Sequence, residues 1–327
     1  MLKQFLTIFE PFVLMLLGTV LLATVLPPRG AFVPIFDIAT TTGIVLLFFL
    51  HGAKLSRQAI WDGMRNWKLH LSVLAVTFVL FPVLGLGLSH LPLVAAPVAA
   101  GLLFLTLLPS TVQSSIAFTA VARGNVAAAV CSASFSNLLG IVLTPALVAL
   151  LMHIGGANGG GLASVEKIVL QLLVPFVAGH LLRPLIGGFV ARHKLLMTIV
   201  DRGSILLVVY TAFGAAVVEG LWHRVSGLDL TVILVLCSVL LAIVLVATWA
   251  LGRIFHWPRA DAIVLQFCGS KKSLASGVPM AGVLFPAAQI GVVLLPLMLF
   301  HQIQLIACAV IARRYAEQDT PDTRIPT

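Results

Sequence analysis

Two adjacent lysines, Lys271 and Lys272, lie in the stretch FCGSKKSLASG, inside a run of residues that is otherwise apolar. A lysine at the centre of a bilayer costs roughly 3 kcal/mol on insertion scales, so a pair of them indicates a dedicated role. An ammonium group donates three hydrogen bonds and accepts none, which suits it to the free carbonyls of a broken helix or to an anionic ligand. The two lysines are therefore the first candidates for a binding site.

A second polar cluster, LLPSTVQSS, interrupts another apolar run near its middle. Unwound backbone is tolerated at membrane depth where it is buried in protein or lines a cavity, so two such clusters predict a substrate or ion site. The bland alternative is that proline, glycine and serine only allow kinks and close helix packing. The residues predicted for the site are Ser110, Thr111, Gln113, Ser114, Ser115, Asn137, Ser270, Lys271, Lys272 and Ser273.

The composition identifies the surroundings of these clusters. The chain has 327 residues, of which 60% are hydrophobic and 9% charged. Such a composition excludes an ordinary soluble domain, and the helix-length apolar runs predict an all-α polytopic protein whose setting is the lipid bilayer. The formal charge of +9 lies at the edges of apolar runs and forms no patch with interleaved aromatics, so no nucleic-acid partner is predicted.

The apolar runs predict ten transmembrane helices. With that count, fifteen of the basic residues fall on one side and three on the other, which places both termini in the cytoplasm of an inner or plasma membrane protein. The seventh apolar run extends from Gly203 to Leu221 and leaves Asp201 outside the membrane. None of the eleven acidic residues is predicted near the bilayer midplane, so a carboxylate-centred sodium or proton site is disfavoured.

A glycine-rich segment, GGANGGG, divides the ten predicted spans into five and five. Because five is odd, a second half with the same internal fold must enter the membrane upside down, as inverted-repeat transporters do. The two polar clusters then occupy equivalent positions, the fourth and ninth spans. We predict a first repeat over 1–154, a linker over 155–163, a second repeat over 164–314 and a disordered cytoplasmic tail over 315–327.

Three short motifs resemble the SBF-like branch of the bile acid:sodium symporter superfamily: ARGN at 122–125, LTP at 143–145 and KSLASGVPM at 272–280. The resemblance covers nearly the whole chain. It implies a core domain of spans three to five and eight to ten that moves against a panel of spans one, two, six and seven. It also implies that the broken fourth and ninth helices cross in that core. Classical members carry organic anions with sodium.

The residues that bind sodium in classical members do not carry over well. Where the resemblance implies a sodium-ligating glutamate, this chain has Phe267, and Lys271 and Lys272 replace a glutamine and an asparagine. Ser273 matches the family. Where the family has hydroxyl side chains on the fifth span, this chain has Ala129 and Ala133.

We therefore expect a secondary transporter of a small organic anion that works by alternating access, with an intramembrane lysine in place of the coupling cation. A lysine could instead only hold the broken helices together, or bind and release a proton. His180 and His301 are candidates for a proton relay, although packing explains most buried histidines. Two alternatives stay open: a non-transporting membrane regulator with this fold, and a sodium-coupled symporter with a rearranged ion site. No enzyme motif, cofactor or metal centre is predicted, and a sodium ion is disfavoured.

Overall fold

The computed structural model describes residues 11–54, 66–91, 95–152, 169–220 and 226–318. These residues form twelve helices, and the described ranges contain no strand. The helices are α1 Pro11–Val25, α2 Phe32–Lys54, α3 Trp67–Ser89, α4 Ala96–Leu107, α5 Gln113–Val121, α6 Val126–Leu151, α7 Val169–Arg192, α8 Lys194–Val218, α9 Gly227–Ile254, α10 Arg259–Gly269, α11 Leu274–Leu284 and α12 Ala287–Glu317.

Seven of these helices are long and apolar enough to cross a membrane, namely α2, α3, α6, α7, α8, α9 and most of α12. The predicted all-α membrane protein is thereby confirmed. The count of ten spans and the inverted repeat stay predictions. The predicted linker at 155–163 lies outside the described residues, as does the tail from 319 onward.

Two apolar helices are interrupted at the two polar clusters. The first break separates α4 from α5, and Leu108, the residue before Pro109, adopts extended backbone angles that end α4. The second break separates α10 from α11, where the Ser273 side chain accepts a hydrogen bond from the Ser276 N–H and caps the new helix. Each break therefore leaves one helix C-terminus and one helix N-terminus inside the bundle.

The two breaks contact each other in the interior. The backbone N–H of Ser273 donates to the carbonyl of Pro109 at 2.8 Å, and the hydroxyl of Ser110 donates to the carbonyl of Cys268 at 2.6 Å. Helix α3 passes beside them with a π-helical turn at Val76–Leu80. Such turns disturb the regular hydrogen-bond ladder and are frequent at functional positions.

The ARGN motif forms the corner between α5 and α6. Arg123 has a φ of 58°, and a side chain on Gly124 would press on Ile263 of α10. Asn125 caps α6 by accepting from the Ala128 N–H, and its amide donates to Asp261 at 2.9 Å. The motif thus fixes the far end of α5 against the start of α10.

Helices α2 and α7 pack closely through two glycines. A methyl group on Gly52 would overlap the carbonyl of Phe176, and one on Gly179 would overlap the carbonyl of Phe49. Small residues allow this close approach of helix backbones in membranes.

We expect Gly179→Ala to destabilise the protein by about 1–3 kcal/mol, because the added methyl forces α2 and α7 apart. Gly188→Ala on the same helix is the matched control, since nothing lies within 4 Å of its added methyl. Detergent-solubilised variants should be heated and the surviving monodisperse fraction measured by size-exclusion chromatography. An equal loss in both variants would contradict the packing argument.

Candidate functional site

The ammonium group of Lys272 is fully hydrogen-bonded. Its Nζ donates to the backbone carbonyls of Thr77 at 2.8 Å and of Thr106 and Leu108 at 2.7 Å each, and it lies 4.2 Å from the centre of the Phe81 ring. The side chain is completely buried. Its charge is therefore stabilised by carbonyl dipoles and an aromatic face, with no carboxylate involved.

The carbonyls around Lys272 are available because helices end or deform there. Thr77 lies in the π-helical turn of α3, and Thr106 and Leu108 lie at the end of α4, where the last carbonyls have no partner within the helix. The carbonyl between them, of Leu107, accepts from the Thr144 hydroxyl at 2.7 Å. Because a helix C-terminus carries a partial negative charge, an ammonium is well placed at this end.

The C-terminus of α10 is satisfied differently, by hydroxyl groups. Ser115 donates to the carbonyl of Phe267 at 3.1 Å, and Ser270 donates to that of Gln266 at 2.6 Å. With the bond from Ser110 to Cys268, each of these three carbonyls before the break has a donor. The residues of each break thus help to satisfy the helix end of the other.

The backbone of Lys272 is clamped by Gln304 of α12. The Gln304 Oε1 accepts from the Lys272 N–H at 2.9 Å, and its Nε2 donates to the Lys272 carbonyl at 3.0 Å. The same Nε2 lies 2.9 Å from His301 Nδ1. Since the amide nitrogen can only donate, Nδ1 accepts, and the neutral His301 ring carries its proton on Nε2.

Lys271 has a different environment from its neighbour. Its Nζ is buried and has no hydrogen-bond partner among the described residues. It lies 4.1 Å from the ring centre of Phe118 and 5.5 Å from that of Phe267. Phe267, which stands where the resemblance implies a sodium-ligating glutamate, therefore offers an aromatic face to a lysine.

A cavity of about 180 Å³ lies where the two half-helices α5 and α11 begin. Because helix N-termini carry free N–H groups and a partial positive charge, two of them at one cavity favour an anion there. Of the residues predicted for the site or for a proton relay, those that line this cavity are Thr111, Gln113, Ser114, Asn137, Ser273 and His301.

The other predicted residues line neither this cavity nor its two larger neighbours. Ser110, Ser115, Ser270 and Lys272 bind helix carbonyls, Lys271 lies against aromatic rings, and His180 lies on α7, where its Nδ1 is buried without a partner in the described part of the chain. The polar clusters therefore separate into a group that stabilises the contact between the two breaks and a group that faces the cavity.

The charged or titratable side chains that line the three cavities and were not predicted as site residues are His51, Lys54, Arg183, Lys194, Asp201 and Arg202. Asp201 lines all three cavities, of about 180, 290 and 720 Å³, together with Gln113. Lys54 donates to Asp201 Oδ2 at 2.5 Å, and His51 Nε2 lies 3.8 Å from Oδ1. The hydropathy pattern missed Asp201 because α8 begins at Lys194, nine residues before the predicted start at Gly203.

Comparisons with known proteins give a consistent result. A model of the SBF-like CPA transporter family matches residues 10–317. A protein of Pseudomonas aeruginosa described as uncharacterised is 58% identical over 311 residues, which are 94% of this chain and 93% of its own. YfeH of Escherichia coli, named as a candidate symporter, is 56% identical over 313 residues, which are 95% of this chain and 94% of its own.

A more distant relative carries a more specific name. Sodium/bile acid cotransporter 7 of Rattus norvegicus is 26% identical over 278 residues, which cover 82% of this chain and 80% of its own. The resemblance inferred from the three sequence motifs is confirmed by these matches.

The two lysines should differ in their effect on stability. Lys272→Met leaves three buried carbonyls without their donor, so we expect a loss of roughly 3–5 kcal/mol. Lys271→Met breaks no hydrogen bond and should change stability by about 1 kcal/mol or less, since a desolvated ammonium is replaced by an apolar chain. Thermal unfolding of both variants in the same detergent measures the difference. Equal destabilisation would refute the assignment of distinct roles.

Proposed function

The chain belongs to the SBF-like CPA transporter family, and we propose that it is a secondary transporter of a small organic anion. It is an integral membrane protein and not an enzyme, as its family consists of transporters and its relatives include symporters. On our proposal it works by alternating access and is not classically sodium-coupled, because an intramembrane lysine takes the place of the coupling cation.

The observation that carries the anion proposal is the cavity shared by the N-termini of α5 and α11. Gln113 begins α5, and Ser273 caps α11, so an anion between them would meet two helix ends of positive sign. The side-chain amide of Gln113 is exposed and adds a neutral donor. The amide N–H groups of Asn137 donate to the carbonyls of Ser110 and Ala133. The charged residues that line the three cavities are Lys54, Arg183, Lys194 and Arg202, against one carboxylate, Asp201.

The proposal for the coupling cation rests on Lys272. Three backbone oxygens converge on its Nζ, as oxygen ligands converge on an alkali or alkaline-earth cation. A covalently attached ammonium supplies the same positive charge to the end of α4 but cannot dissociate. Sodium would therefore have no carbonyl cluster to bind at this position, and transport would need no sodium gradient.

Alternating access is supported by the position of the largest of the three cavities, of about 720 Å³. It lies at the edge of the bundle where α2 and α7 end and α8 begins, and it shares Gln113 and Asp201 with the smaller cavities. On the predicted topology this edge is cytoplasmic, which corresponds to an inward-facing conformation. Helices α1, α2, α7 and α8 would form the panel that moves against the core.

The rival is a sodium-coupled symporter, which the name of the rat relative favours. Against it stand the occupied carbonyl cluster and the apolar side chain of Phe267. A non-transporting regulator would keep the fold without needing the cavity that the two half-helices share.

We expect proteoliposomes containing the purified protein to take up at least one anion from a panel of pyruvate, malate, citrate and taurocholate. Sodium, imposed as a gradient at constant pH and voltage, should change the initial rate less than twofold. Protein-free liposomes give the background for each anion. Rates that rise tenfold or more with inward sodium would favour the rival, and no uptake of any anion under any gradient would favour a regulator.

Gln113→Glu should weaken anion transport without harming the fold. A carboxylate in the first turn of α5 is favourable to the helix, yet it repels an anion in the adjoining cavity, so we expect KM to rise about tenfold or more. Gln289→Glu is the matched control, because Gln289 is also exposed in the first turn of a helix, α12, and lines none of the three cavities. Equal KM values for the two variants would count against an anion site at α5.

A further inference from the structure

A cluster of His51, Lys54 and Asp201 lines the same cavities as the proposed anion site. His51 and Lys54 lie one turn apart at the end of α2, and Asp201 lies on the neighbouring helix α8. The side chains are 31%, 34% and 24% exposed, so each is partly shielded but reachable from the cavity. The anion site proposed above lies on α5 and α11, so the two sets of residues lie on different helices.

The geometry leaves one carboxylate oxygen free. Lys54 occupies Asp201 Oδ2, whereas Oδ1 is buried and, within the described ranges, accepts no hydrogen bond. His51 Nε2 lies 3.8 Å from Oδ1, a distance slightly too long for a hydrogen bond. A proton on that imidazole nitrogen would give Oδ1 a charged donor and draw the two groups together.

We propose that His51 and Asp201 form a proton-binding site, and that a proton bound there is transported together with the anion. The proton passes from water to His51 Nε2, where it forms an N–H bond directed at Asp201 Oδ1. On the opposite side of the membrane it returns to water. This inference rests on the proposed function only in that the cargo is an anion.

Charge explains how the two sites would be coupled. When His51 is neutral, the positive charge of Lys54 and the negative charge of Asp201 give the cluster a net charge of zero. Protonation of His51 raises the net charge to plus one. A cavity wall of charge plus one binds an anion better than a neutral one, and by linkage a bound anion favours the proton. Imidazole suits this task because its unperturbed titration lies between pH 5 and 8.

Other charged or titratable groups lie around the cluster. Helices α1, α5, α6 and α11 present no titratable side chain to these cavities in the part of the chain that the structure describes. Asp37 lies at the opposite end of α2. Of the remaining titratable or charged side chains, those that line the three cavities are Arg183, Lys194, Arg202 and His301. Helices α7 and α8 also carry His180, Arg192 and Tyr210, which line none of the three.

The test uses the full chain in proteoliposomes, without sodium and with the membrane voltage clamped at zero. The probe is whichever anion of the panel the wild type takes up fastest. For a monovalent anion carried one-to-one with a proton, an alkaline interior should raise accumulation up to about tenfold per pH unit. In His51→Gln and in Asp201→Asn we expect the ratio of uptake with and without the pH gradient to fall to about one, whatever the absolute rate.

Two matched controls should keep the wild-type ratio: His90→Gln and Asp37→Asn, neither of which lines the three cavities. Size-exclusion profiles after heating show which variants are folded, and one folded variant, His51→Gln or Asp201→Asn, is enough to decide between the outcomes. If the wild type transports the anion but ignores the pH gradient, the proton site is refuted and anion transport stands.

Two further outcomes are decisive. A pH-gradient ratio that persists in a folded His51→Gln or Asp201→Asn variant would place proton coupling elsewhere and overturn the assignment to His51 and Asp201. If no anion is transported under any gradient, the proposed function and the proton site fall together.

Discussion

Two helices that end inside a membrane must have their last carbonyls satisfied, and the centre of this protein is built around that requirement. A buried carbonyl without a donor is costly, and the end of a helix presents several of them with a partial negative charge. At the end of α4 the donors are the Lys272 ammonium and the Thr144 hydroxyl. At the end of α10 they are serine hydroxyls, two of which come from the opposite break. Each break therefore supplies donors that the other break needs.

The same arrangement leaves the positive ends of α5 and α11 free for another partner. Side chains that satisfy carbonyls are occupied at the contact between the two breaks, as the bonds of Ser110 and Lys272 demonstrate. Gln113 is exposed at the start of α5, and Ser273 uses its hydroxyl to cap α11 while still lining the cavity. The polar cluster at a helix break thus contains residues that satisfy the free backbone groups and residues that line the adjoining cavity.

The positions of the two breaks could be predicted from sequence, because polar residues interrupt an otherwise apolar pattern there. Lys271, Lys272 and the PST of the first break are conspicuous for that reason, and so is the helical membrane fold. Which lysine meets carbonyls and which meets aromatic rings could not be predicted. Both lysines lie in the unwound segment between α10 and α11, and their surroundings come from α3, α4 and α5, far away in sequence.

Asp201 lines the cavities but was not predicted as a site residue. Its helix begins at Lys194, and the charged and polar residues of the first turns lower the local hydropathy, so an apolar window starts only at Gly203. A carboxylate that is paired with a lysine of another helix does not bear the full cost of an isolated charge, yet a hydropathy window counts each residue alone. A hydropathy window therefore underestimates the length of a helix whose charges are compensated by residues of other helices.

The distribution of charge also bears on how an anion could be released as well as bound. The ammonium of Lys272 is bound to three carbonyls, so it offers no direct ion pair to a ligand in the cavity. A ligand there meets partial charges and neutral donors at α5 and α11, which attract an anion without holding it as tightly as a full charge would. On our proposal the full charge that varies lies on other helices, at His51 and Asp201. Binding strength can then change with the side of the membrane that the cavity faces, while the contact between the two breaks stays intact.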